Sequence, residues 1–134
     1  MTKLNMPFID YGENKTVSLK NEHDLQSEVV SYLRQTDLTF AASLNGYLDT
    51  PSKRIRSWQE GMSAGHPDLV IYTPNKTYNG LAIEFKSPTG QGELSKTQND
   101  WLDKLEKDCK YFCICSNDFA VILEVIVKYI YDLL

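Results

Sequence analysis

The sequence predicts an α/β fold, a mixed central sheet of about four strands flanked by helices. Three observations carry this. Several segments repeat apolar residues at helical spacing behind residues that cap helices. Four short runs are rich in β-branched and aromatic residues. The two kinds alternate along the chain, in the order helix, strand, loop, strand, strand, helix, strand, helix. At 134 residues, with 42% apolar and 24% charged residues, the chain has the size and composition of one globular domain.

Residues 1–20 lack periodicity and read as an N-terminal arm, leaving 21–134 as the folded domain. Asn21 is a good N-cap, with Asp24 three residues on, and Leu25, Val29, Val30 and Leu33 make an apolar face. LTFAAS, from Leu38, reads as the first strand. Residues 45–64 are polar and punctuated by Gly46, Pro51 and Gly61, with a short helix around Arg54 to Gln59. DLVIYT and GLAIEFK are the second and third strands, joined by an Asn- and Gly-rich turn. Ser95 then caps a helix whose face carries Trp101, Leu102 and Leu105, with Gln98 in the capping-box position. KYFCIC is the fourth strand, and Asn117 or Asp118 caps the last helix.

Several function classes recede on composition. The net charge of −4 is unusual for a nucleic-acid binder, although local clustering matters more than the total. Carboxylates gathered around Mg²⁺ would produce the same balance. Cys109, Cys113 and Cys115 are an odd set with no apolar leader ahead of them, which points to a reducing, intracellular setting: cytoplasm, or the host cell for a viral or phage protein. Cys113 and Cys115 alternate on a strand, as buried small apolar residues would. With only two histidines, a zinc site lacks ligands. The C-terminal FAVILEVIVKYIYDLL is interrupted by Glu124 and Lys128 and is shorter than a bilayer span, so no membrane partner is expected.

The segment GHPDLVIYTPNKTYNGLAIEFK poses the chemical question. Side chains alternate along a strand, so Leu81, Ile83 and Phe85 share the core face, and Ala82, Glu84 and Lys86 the other. If the second and third strands form a hairpin, Asp68 at the start of one lies near Glu84 and Lys86 at the end of the other. Two carboxylates and an ammonium then meet at one edge. That set suits a hard cation such as Mg²⁺ and phosphodiester hydrolysis. Lys86 would orient the attacking water or offset charge growing at phosphorus. A solvated strand face and a turn acid after Pro67 fit the same spacing. His66 reads as a polar surface residue.

More than these three residues match a known pattern. GMSAGHPDLVIY, LAIEFK and PTGQGELSKTQNDWL occur in order, followed by a strand and a helix. The combination resembles the VRR-NUC (virus-type replication-repair nuclease) family of the PD-(D/E)XK nuclease superfamily, over roughly residues 21–134. The resemblance implies a restriction-endonuclease-like fold and a structure-selective DNA endonuclease acting on branched DNA, such as Holliday junctions or flaps, in replication, recombination or repair. It makes Asp68 and Glu84 metal ligands, with the Phe85 carbonyl, and Lys86 the catalytic lysine. Mg²⁺ is the expected cofactor, with Mn²⁺ as a substitute. Gln98 matches the family's glutamine after the catalytic strand. The superfamily's acid on the first helix falls to Glu22 or Glu28; helical spacing favours Glu22, with Gln26 one turn later, as both catalytic acid and metal ligand.

Lys53, Arg54 and Arg56 form the densest positive patch, just ahead of the motif loop, and Lys96 would extend it along DNA phosphates. Trp58 is expected to pack against the core rather than stack on a base. The last helix is apolar nearly all round, at Val121, Ile122, Val125, Ile126, Tyr129 and Ile130, so a second face needs a cover and a homodimer is expected. Two readings compete with the nuclease: a non-catalytic DNA- or protein-binding module on the same fold, and a restriction-type nuclease that cuts linear duplex at one sequence.

Overall fold

The structure is a computed structural model that describes residues 19–43, 50–87 and 93–134. Four helices surround a four-stranded sheet. In chain order they are α1 (Glu22–Leu33), β1 (Phe40–Ala42), α2 (Pro51–Gln59), β2 (Leu69–Ile71), β3 (Gly80–Phe85), α3 (Lys96–Asp108), β4 (Tyr111–Ser116) and α4 (Phe119–Ile130). The arm expected over 1–20 lies outside the described residues except for its end, where Leu19 packs on the core and the Lys20 amide donates to Asp24 Oδ2 at 3.0 Å.

The strand order is β1-β2-β3-β4. β1/β2 and β2/β3 are antiparallel and β3/β4 is parallel, so the sheet is mixed. An antiparallel pair needs only a tight turn, and Asn75 builds it by accepting from the Thr77 and Tyr78 amides at 2.9 and 2.6 Å. A parallel pair needs a crossover, and α3 supplies it.

The main core lies on the face of Leu81, Ile83 and Phe85. There Leu25, Val29 and Leu33 of α1 meet Leu69 and Ile71 of β2 and Ile122, Ile126 and Tyr129 of α4. Each aliphatic side chain so enclosed stabilises the fold by roughly 1.5–3 kcal/mol. Tyr129 is buried with its hydroxyl donating to the Thr73 carbonyl at 2.7 Å, which offsets the loss of water.

The opposite face of β3 is covered as well. Every β3 residue is buried, Glu84 included. The cover is α3, whose Leu102 carbonyl faces the Cys113 thiol at 3.6 Å. Two expectations change as a result. Cys113 is half-buried beneath α3, but Cys115 lies farther along the strand and is exposed. Trp58 does not pack against the core: α2 buries no residue, and Trp58 is 70% exposed with Ile55 beside it at 60%. α2 starts earlier than expected, because Thr50 caps it through the Lys53 amide and Pro51 opens its first turn.

Candidate active site

The β2/β3 register brings the expected acids together. Leu69 pairs with Ile83, so Asp68 arrives beside Glu84 at the end of the sheet. Asp68 Oδ2 accepts from the Phe85 amide at 2.8 Å. A residue in a strand directs its N–H and C=O to the same side, so the Phe85 carbonyl leaves β3 on the Asp68 side. The Lys86 amide points the other way, to the Ser116 carbonyl of β4 at 3.0 Å.

Glu84 is 2% exposed. Its Oε1 accepts from Gln98 Nε2 at 2.7 Å, while its Oε2 is buried and has no hydrogen-bond partner among the described residues. Burial pushes its carboxyl up to about 8; the charge of the neighbouring Asp68 adds to the shift, and Lys86 opposes it. Two facing carboxylates have only acceptors to offer unless a proton or a cation lies between them. A divalent cation fits this donor set. Asp68, Glu84 and the Phe85 carbonyl would hold it, with water and phosphate oxygens completing the shell.

Gln98 holds two positions at once. Its side chain closes the capping box of α3, with Ser95 N donating to Oε1 at 2.9 Å and Gln98 N donating to Ser95 Oγ at 3.2 Å. The same amide bridges Glu84 and Lys86, whose Nζ lies 3.5 Å from Oε1. Lys86 Nζ also donates to the Glu93 carbonyl at 3.2 Å.

The motif loop is braced against this group. Gly65 has φ +83°, and a Cβ there would lie 2.4 Å from the Thr97 carbonyl carbon. Only glycine lets the loop sit this close to the first turn of α3. His66 is part of the brace rather than a surface residue. Its Nδ1 lies 2.6 Å from Ser43 Oγ, and its ring meets Trp101 edge-on at 5.0 Å. Ser43 Oγ donates to the Pro67 carbonyl, and Ser43 N to the Asp68 carbonyl, both at 2.8 Å.

Asp68, Glu84 and Gln98 open into a cavity of about 900 Å³, and Glu22 and Gln26 of α1 line it too. Glu28 is absent from that lining. Partial desolvation raises the Cys115 thiol; Lys86 lowers it, and Glu84, Asp68 and Glu22 raise it further. Among the described residues no three His, Cys, Asp or Glu side chains cluster as metal ligands, so Glu22 shares the cavity without forming a three-acid cage. Lys53, Arg54 and Arg56 lie exposed on α2, and Lys96 is exposed at the start of α3. None of these four lines the cavity, whereas Arg34, which sequence reasoning missed, does. The signal was present: Glu22, Gln26, Val30 and Arg34 follow one another at i+4.

The VRR-NUC domain model matches residues 12–117, from ahead of α1 to just past β4. The chain is also similar to a solved structure described as a VRR_NUC domain protein. The match has a TM-score of 0.65 at 24% identity over 83% of this chain and 88% of that one, a likeness of fold. No curated protein matches. With about four-fifths of the chain matched in sequence and its architecture matched in space, this chain belongs to the VRR-NUC domain family, a nuclease-type family.

Proposed function

We propose that the protein is a Mg²⁺-dependent DNA endonuclease, with Mn²⁺ able to substitute, selective for branched DNA. The observation that carries this reading is Glu84: a carboxylate almost wholly out of water, with one oxygen lacking a partner among the described residues and a second carboxylate beside it. Such a group destabilises a fold unless it serves a ligand. A bound divalent cation supplies Lewis acidity, neutralising phosphate charge and acidifying water. Asp68 and Glu84 would hold it, with the Phe85 carbonyl. Gln98 keeps the Glu84 carboxylate and the Lys86 ammonium in fixed relation, and Lys86 would align the attacking water or offset charge growing at the phosphate. Glu22 would act from across the cavity. On the exposed face of α2, Lys53, Arg54 and Arg56 would grip phosphates, with Lys96 extending the track. The exposed Trp58 is free of any core role and suits stacking on an unpaired base. A homodimer closed over α4 would set two such sites in symmetric relation.

The test is a panel of labelled DNAs comprising a four-way junction, a flap, a splayed arm and linear duplex, incubated with Mg²⁺. Wild type should cut branched substrates. Lys86→Ala should lose at least a hundredfold in cleavage rate, on the scale of removing one transition-state contact, while still binding DNA. Binding without cutting by the wild-type protein would favour the non-catalytic module. Cutting of linear duplex at one sequence would favour the restriction-type enzyme.

A further inference from the structure

The cavity extends well beyond the carboxylate pair. Glu22, Gln26, Val30 and Arg34 line one wall at one-turn intervals, with Ser27 and Ser31 between them. Twelve residues of helix separate Glu22 from Arg34, about 18 Å at ~1.5 Å per residue. The acids of the described lining are Glu22, Asp68 and Glu84, the group beside the sheet end. Arg34, at the other end of α1, is the cationic end of the groove. Its guanidinium lies 5.6 Å from the centroid of the Phe40 ring, a contact that restricts its freedom. Phe40 belongs to β1, and Ala42 of that strand and Ser43 just after it also line the cavity. A planar, permanently charged group at the end of a groove of mixed lining has the geometry to pair with a phosphate.

From this geometry we infer that the groove along α1 carries a single unpaired strand away from the scissile phosphate, and that Arg34 binds one of its distal phosphates. This rests on the nuclease reading above. A groove of about 900 Å³, in the range that holds one drug-sized ligand, has room for a short run of one strand. The Glu22–Arg34 span corresponds to about five base steps at ~3.4 Å each, and fewer if the strand is stretched. The preferred substrate therefore has an unpaired segment next to the cleaved bond, as a flap, a frayed end or an opened branch has. Arg34 acts by positioning the strand and touches none of the reacting atoms.

The test uses full-length protein carrying Lys86→Ala, with Mg²⁺, and fluorescence anisotropy on a graded series of single-stranded DNA oligonucleotides. Affinity should climb with length until the strand spans the groove. Adding Arg34→Gln should leave the shortest strands unaffected and weaken the long ones by roughly three- to tenfold, with the salt slope reduced by ~0.7. Arg34→Lys should recover most of that slope. Equal binding of long strands with and without Arg34→Gln overturns the inference, as does an equal loss at every length. If no oligonucleotide or branched DNA binds even with Arg34 present, the nuclease reading itself falls.

Discussion

Glu84 brings a carboxylate into a position that water barely reaches, and the rest of the site follows from that expense. An acid raised from 4.5 to about 8 holds its proton in the folded state across a window where the unfolded chain has released it. Stability then falls as pH rises through that window, because the folded state binds more protons. Without divalent cation, the melting temperature should drop between pH 5 and pH 8 by several degrees more in wild type than in Glu84→Gln. The variant should be the more stable protein at pH 8 and close to wild type at pH 5. Mg²⁺ should raise the wild-type midpoint at pH 8 and raise that of Glu84→Gln far less, since a cation bound only to the folded state stabilises it by mass action. Parallel pH profiles for the two proteins would show that this carboxyl does not carry the shift. Asp68, Glu84 and Lys86 were readable as a group because an antiparallel hairpin has only one way to join their strand ends. The burial of Glu84 was not readable, because it depends on a helix folding back from later in the chain.

At the scale of elements, the starts of three helices were plain in the sequence, while α2 begins three residues before the expected Arg54. Asn21, Ser95 and Asp118 all accept the amides expected of caps. A cap is a local matter, decided within four residues. What covers a strand is not local: Ala82 and Glu84 looked like an outer face, and α3 turned it into a second interior. Trp58 was misread for the related reason that an aromatic residue seeks a core only when its helix reaches one. The double duty of Gln98 gives a prediction proper to α3. Ser95→Ala removes the acceptor for the Gln98 amide and should cost about 1 kcal/mol of stability. Because Gln98 also holds Glu84 and Lys86, cleavage should fall by more than the unfolded fraction explains. Activity that tracks stability alone would separate the cap from the site.

At the scale of the whole molecule, α4 buries Ile122, Ile126 and Tyr129, while Val121 on the helix and Tyr131 and Leu133 just past its end remain exposed. The proposed homodimer uses that outer surface. Sedimentation velocity at micromolar concentration should give a dimer for wild type and a monomer for Val121→Lys with Leu133→Lys. A wild-type monomer would remove the dimer and leave each site to work alone. The four-stranded sheet and its flanking helices were legible from alternation and punctuation, because both arise from short-range pattern. The groove that runs from Glu22 to Arg34 was not, because it exists only where α1 lies against β1 and the sheet end.

α2 contributes three cations and an indole to the surface and nothing to the interior. A segment with no buried residue is under little obligation to the fold, so its outward side chains can be rewritten as a block. That makes it a natural cassette: exchanging residues 51–59 for another sequence should leave the sheet and the groove along α1 unchanged.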